Sequence, residues 1–179
     1  MVQHSDIDHT GIPGTGSSAS GLIDIATPIK ITASSITANA TTWQELAAET
    51  GGPGTGNLDL NFTGVQAGDI VEVSLSALYS NAATYIHIDF ATIVSAAPVN
   101  YFGSGQITSS TGDGVMSYMG ITSREHSVGG TVAYAVVSGD LTAGALKIRP
   151  YFRTSSATNR TIFGVAANPF HLSGKVFRP

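Results

Sequence analysis

Apolar and polar residues alternate with period two through Leu58-Asp59-Leu60-Asn61-Phe62-Thr63, the pattern of a strand with one dry and one wet face. Val71, Val73 and Leu75 repeat it within 69–76, and the preceding Gly64-Val65-Gln66-Ala67-Gly68-Asp69 has turn chemistry, so the two segments read as adjacent strands. From Tyr85 to Ile93, Ile86, Ile88 and Phe90 share one face while Tyr85, His87 and Asp89 share the other. Further strands are predicted around 115–121, 131–137, 146–152, 161–165 and 172–177. Turns are predicted at Gly112-Asp113-Gly114, Gly129-Gly130, Ser138-Gly139-Asp140 and Asn168-Pro169. Thr42 to Glu49 fits two patterns. Thr42 with Glu45 makes a capping box for a short helix that Gly51-Gly52-Pro53 would end, and a strand through Trp43 fits equally. Many short strands joined by Gly-rich turns predict an all-β fold, a jelly-roll sandwich.

The first twenty or so residues break this pattern. His4-Ser5-Asp6-Ile7-Asp8-His9-Thr10-Gly11-Ile12-Pro13-Gly14 runs into Thr15-Gly16-Ser17-Ser18-Ala19-Ser20-Gly21. Such a segment buries too little apolar surface to offset its own chain entropy, so its ordering needs another surface. The chain therefore divides into an extended N-terminal attachment arm over 1–21, a connecting segment over 22–40 and a jelly-roll domain over 41–179. Within the arm, Ile7 and Ile12 are the only large apolar side chains after Val2. They are the natural anchors, with Pro13 fixing the backbone and Gly11 and Gly14 permitting close approach.

Composition narrows the partners. Only 11% of the 179 residues are charged while 42% are hydrophobic, and the rest is rich in hydroxyls, which suits lateral protein contacts better than ionic ones. With eight Lys and Arg and a net charge of −4 there is no basic field for phosphates, so neither nucleic acid nor an anionic membrane surface is an expected partner. There are no cysteines, which removes disulfides and thiolate chemistry together. Met1-Val2-Gln3-His4-Ser5-Asp6 lacks the basic and apolar regions of a secretory signal, and no stretch reaches the eighteen or so apolar residues of a membrane helix. A soluble chain made without export is expected.

From about Thr41 to Phe177 the order of features resembles the jelly roll of the tumour necrosis factor and complement globular-head type, as found in trimeric phage knobs. The residues that carry the likeness are Thr41-Thr42-Trp43, the run Val65-Gln66-Ala67-Gly68-Asp69-Ile70-Val71-Glu72-Val73, and the hairpin from Val137 to Tyr151. Separately, Asp8-His9-Thr10-Gly11-Ile12-Pro13-Gly14 resembles short segments near the start of phage tail-fibre and virion decoration proteins. The two resemblances imply a homotrimer that is a structural component of a bacteriophage virion, on the exterior of the particle. Its partners would be other virion proteins, foremost the major capsid protein, met by Ile7, Asp8, His9, Thr10, Gly11, Ile12, Pro13 and Gly14. The chain has no collagen-like or coiled-coil stalk, which favours a capsid decoration or head-fibre protein. The alternative is a minor tail or fibre-tip protein whose jelly roll binds a receptor or a host surface glycan, with Tyr79, Tyr101, Tyr118 and Tyr151 as stacking surfaces.

Catalytic chemistry has little to rest on. His4, Asp6, Asp8 and His9 are the best metal-ligand candidates, but no ligand-spacing motif accompanies them, and ordinary hydrogen bonding of a partner-bound arm explains them. No metal or other cofactor is expected. His87 and Asp89 would need a distant serine to make a nucleophilic set, and no Gly-x-Ser-x-Gly elbow is present, so no enzyme is expected. Gly51-Gly52-Pro53-Gly54-Thr55-Gly56 lacks the Gly-Lys-Ser/Thr ending of a phosphate loop. Lys147, Arg149 and Arg153, with Tyr151 between them, form a basic stripe expected to be a solvated strand face.

Overall fold

The structure is a computed structural model that describes residues 21–31, 35–38, 41–46, 58–80, 85–103, 114–119, 125–154, 160–163 and 168–179. Its strands in chain order are β1 (Gly21–Ile25), β2 (Ile29–Ile31), β3 (Ser35–Ala38), β4 (Gln44–Glu45), β5 (Leu60–Phe62), β6 (Ile70–Ser80), β7 (Tyr85–Val94), β8 (Ala97–Tyr101), β9 (Met116–Met119), β10 (Glu125–Ala135), β11 (Leu141–Thr142), β12 (Ala145–Thr154), β13 (Arg160–Phe163) and β14 (Phe170–Arg178). A single turn of 3-10 helix, Ser138–Asp140, precedes β11. Every pairing among them is antiparallel.

Several of these strands are pieces of one line. β1 and β2 lie along β14 while β3 lies along β13, and β13 and β14 lie end to end along β6, at 78–80 and 70–76. The first sheet therefore runs from the β1–β3 line through the β13–β14 line to β6 and β10. In the second sheet β4 and β5 form one edge along β12, β12 pairs β7, and β8 and β9 form the other edge along β7. Counted in chain order, the first, eighth, third and sixth lines face the second, seventh, fourth and fifth. The chain thus crosses repeatedly between two sheets, and this is a jelly roll, as the sequence predicted.

The core lies between the sheets. Val71, Val73, Leu75 and Tyr79 of β6 and Phe170, Leu172 and Val176 of β14 meet Leu60 and Phe62 of β5, Ile86, Ile88 and Phe90 of β7, and Leu146, Ile148 and Phe152 of β12. At Gly174 on β14 the sheets leave no room for a side chain: a Cβ there would lie 2.7 Å from Phe62 Cζ and 3.0 Å from Leu60 Cδ1. Two hairpins have two-residue loops with both residues at positive φ, the twist-matched turn geometry: Ser95 and Ala96 at 50° and 66°, and Ala143 and Gly144 at 51° and 78°.

Three regions differ from the sequence reading, one of them the predicted Gly129-Gly130 turn: both glycines lie inside β10, where a Cβ on Gly129 would come within 2.6 Å of Leu75 O on β6, so glycine there serves close strand approach rather than a turn. The 22–40 span, expected to be a connection, contributes β1, β2 and β3 to the first sheet, because Asp24 and Lys30 interrupt isoleucine runs that alternate over lengths too short to stand out. In the ambiguous segment from Thr42, the strand alternative holds. Gln44 and Glu45 pair with Phe152 and Tyr151, and Leu46 N donates to Pro150 O at 2.9 Å. A helix this short cannot outweigh a ladder offered by an existing strand. The strand Ala97–Tyr101 was not predicted, since Pro98 argues against a strand; it lies at the sheet edge, where proline is tolerated.

One carboxylate bolts the sheets together. Asp140 is fully buried and accepts from Thr92 Oγ1 at 2.7 Å, Asn100 Nδ2 at 2.7 Å, Tyr134 OH at 3.0 Å and Val137 N at 2.8 Å. Thr92 and Asn100 belong to the second sheet and Tyr134 to the first. Burial, and then the bond to Asp140, hold the Tyr134 phenol well above its ordinary range. Asp140→Ala strands four donors in an apolar setting, and a loss of about 3 kcal/mol in unfolding free energy is expected from denaturant titration, with Asp140→Asn losing less.

Candidate functional site

The arm residues Ile7, Asp8, His9, Thr10, Gly11, Ile12, Pro13 and Gly14 lie outside the described residues, as do His4 and Asp6 of the metal-ligand candidate. Among the described residues no group of three or more His, Cys, Asp or Glu is placed to hold a metal ion. The charged chemistry the fold does bring together is on the outward face of the second sheet, where β7 and β12 present His87, Asp89, Arg149, Tyr151 and Arg153.

That face is not solvated. Arg149 and Arg153 are 4% and 7% exposed, His87 and Asp89 6% and 2%, where the alternation and the basic stripe predicted a wet surface. The partners that make this possible come from distant parts of the chain. Arg149 donates from Nε to Asp59 Oδ1 at 2.6 Å and from Nη2 to Asp59 Oδ2 at 2.9 Å, a two-pronged fit, while Nη1 reaches Glu45 Oε1 at 2.6 Å. Lys147 lies 3.6 Å from Asp59, and Tyr151 OH donates to Glu45 at 3.3 Å. Two carboxylates hold the Arg149 guanidinium firmly in its charged form, the bonds to Asp59 being the larger cause. Burial, with the nearby Glu45 charge, pushes the Tyr151 phenol up to about 12.

Aromatic rings close the rest of the face. Trp43 packs with Tyr101 against Ala91, Ile93 and Tyr151, Tyr101 meets Tyr151 edge-on at 5.5 Å, and the Arg153 guanidinium lies 5.7 Å from the centre of the Trp43 ring. Tyr79 is fully buried in the core and Tyr151 is buried in this cluster, so neither is the open stacking surface considered from sequence. Tyr101 is half-buried, and the Tyr118 side chain lies outside the described residues.

Asp89 is held by backbone N–H groups. Its Oδ1 accepts from Phe90 N at 2.7 Å and Gly103 N at 3.0 Å, and a Cβ on Gly103 would lie 2.7 Å from Oδ2. Only glycine lets the backbone come this close to the carboxylate. His87 stacks on Tyr85 with ring centres 6.0 Å apart. The His87–Asp89 juxtaposition seen in the sequence thus resolves into a ring stack and a backbone clamp.

The most exposed large apolar side chains lie elsewhere. Leu22 and Ile25 on β1, at the edge of the first sheet, are 54% and 59% exposed. Between them Asp24 turns to the second sheet, where Oδ2 accepts from Thr63 N at 2.6 Å.

No protein-family model matches the chain, and no curated protein matches it. Among solved structures it is similar to the CBM22-1 xylan-binding domain of Paenibacillus barcinonensis Xyn10C, at 10% identity and a TM-score of 0.42, over 90% of this chain and 99% of that one. A likeness at that level says nothing of what this chain binds.

The Asp89 clamp has a pH signature. Burial raises its carboxyl above the ordinary range, against the opposing bonds from Gly103 and Phe90. A carboxyl whose folded value is raised binds a proton more readily folded than unfolded. Its contribution therefore weakens as pH rises from the ordinary carboxylate value, about 4, through the raised folded value. Asp89→Asn should flatten that descent and leave the protein at least as stable at neutral pH, as read from melting temperatures across the acid-to-neutral range.

Proposed function

We propose that the chain is a structural component of a bacteriophage particle: a homotrimeric jelly roll held on the capsid exterior by its N-terminal arm, with other particle proteins, foremost the major capsid protein, as partners. The observation that carries this reading is the meeting of the three segments on which the resemblance rests. Gln44 and Glu45, next to Thr41-Thr42-Trp43, pair with the end of the Val137–Tyr151 hairpin at Tyr151 and Phe152. Val65 N donates to Gly144 O at 3.0 Å at the hairpin's turn. Gly68 N and Asp69 O bond Val136 at 2.8 Å each, where the hairpin begins. Features scattered over more than a hundred residues of sequence converge on this one hairpin and its start, as they must if they are a family's shared frame.

The electrostatics support a structural rather than a catalytic role. Asp59, Glu45 and Arg149 satisfy one another, Asp89 is occupied by backbone N–H groups, and Asp140 has four donors. Groups so committed hold a shape and are poorly placed to exchange protons with a substrate. The exposed Leu22 and Ile25 on β1 follow the arm directly in sequence and offer apolar surface beside it for the same partner.

Sedimentation at micromolar concentration should give a trimer; a monomer that melts cooperatively at high temperature would count against it. Deleting residues 1–20 should leave a folded trimer and abolish its incorporation into particles. Leu22→Glu together with Ile25→Glu should leave melting within about 1 kcal/mol of the parent, both sites being exposed, and reduce incorporation several-fold. Normal decoration by the truncated protein would sink the docking role.

A further inference from the structure

The outward face of the first sheet carries a recess of about 400 Å³ that the docking role leaves unused. Strand register builds it. Lys30 on β2 is directly opposite His171 on β14, and His171 is directly opposite Ser76 on β6, so three polar side chains stand in one row across three strands. Two inter-strand spacings make that row about 10 Å wide. In the next outward row Leu78 is opposite Ser127, and Asn168 and Pro169 close the end of the recess just before β14.

Lys30 has no ion-pair partner among the described residues. No Asp or Glu lines the recess. Of the lysines and arginines whose side chains are described, Lys147, Arg149, Lys175 and Arg178 each have a carboxylate, and Arg153 lies over the Trp43 ring. Lys30 has neither among the described residues. In a chain of net charge −4, an exposed ammonium beside an imidazole, with no carboxylate paired to it among the described residues, is a local site for an anion. The surroundings say more about that anion. Ser76, Ser127 and Asn168 offer both donors and acceptors, whereas a bare inorganic anion needs only donors. Leu78, buried at the base, and Pro169 offer an apolar floor that such an ion cannot use.

We propose that this recess binds an acidic saccharide, a sugar ring carrying a carboxylate. The carboxylate lies between Lys30 and His171, the ring's C–H face lies on Leu78 and Pro169, and its hydroxyls meet Ser76, Ser127 and Asn168. The site is independent of the arm and of particle docking, and can fail or hold without them.

Titration calorimetry on the full chain with trigalacturonate, maltotriose and inorganic phosphate tests it. Trigalacturonate should bind in the millimolar range or tighter, and the uncharged trisaccharide and phosphate about tenfold more weakly or not at all. Lys30→Gln, and separately Ser127→Asp, which sets a fixed carboxylate in the recess, should each weaken trigalacturonate about tenfold or more. Both positions are exposed, so melting temperature and sedimentation should match the parent. Equal binding of phosphate or maltotriose, no binding of trigalacturonate at tens of millimolar, or undiminished binding by either folded variant would overturn the proposal.

Discussion

A guanidinium cannot be taken out of water alone, and the second sheet is organised around meeting that requirement at Arg149. The residue is on β12, the strand that pairs β7 on one side and the broken β4–β5 edge on the other. Burying it demands carboxylates at fixed positions, and these come from Glu45 beside one piece of the edge and Asp59 beside the other. Charge therefore ties down both halves of an edge whose hydrogen-bonded ladder is only two and three residues long. Such a pair adds little net stability over an apolar replacement, because desolvation consumes most of the Coulomb gain. What it does impose is register: slipping β12 by one residue would aim Arg149 into the apolar core and leave both acids without their cation.

The same requirement explains why β7 is buried on both sides. Once the edge segment is drawn over β12, Trp43 comes to lie on Ala91 and Tyr151, and Asp89 is enclosed beside them. An antiparallel sheet ordinarily keeps one face wet. Here its polar side chains are satisfied within the chain, so the outward face behaves as a second, smaller core.

This is also where sequence reading reached its limit. Period-two alternation located β5, β6, β7, β12 and β14 because it reports which side chains share a face. It cannot report what covers that face. The partners of Arg149 are 90 and 104 residues away, and the backbone group that clamps Asp89 is 14 residues away, so His87, Asp89 and the basic stripe read as solvent-facing. Tyr79 is a different case. It was read as a stacking surface, yet it continues the series Val71, Val73, Leu75, and the same period carried past Ser76 leads to the core position it holds. The β1–β3 line escaped because Thr27-Pro28 and the residues after Ile31 cut it into fragments shorter than the pattern needs. Lys30 and His171 could not be associated from sequence at all; only the pairing of β2 with β14 brings them together.

The two outward faces thus have opposite characters, for one physical reason. In the second sheet Lys147 and Arg149 are matched to carboxylates within the chain and Arg153 lies over Trp43, so these cations are engaged internally. The first sheet keeps small, hydroxyl-bearing side chains along β6 and β10, among them Ser74 and Thr131, whose hydroxyls bond each other at 2.7 Å. Its one ion pair among the described residues of that outward face, Lys175 with Glu72, is half-exposed and screened by solvent. Small side chains form a shallow surface on which the longer Lys30 is exposed, with no carboxylate partner among the described residues. An internally neutralised sheet provides rigidity without recognition. The polar groups left uncommitted among the described residues are those of the first sheet, at the row of Lys30, His171 and Ser76.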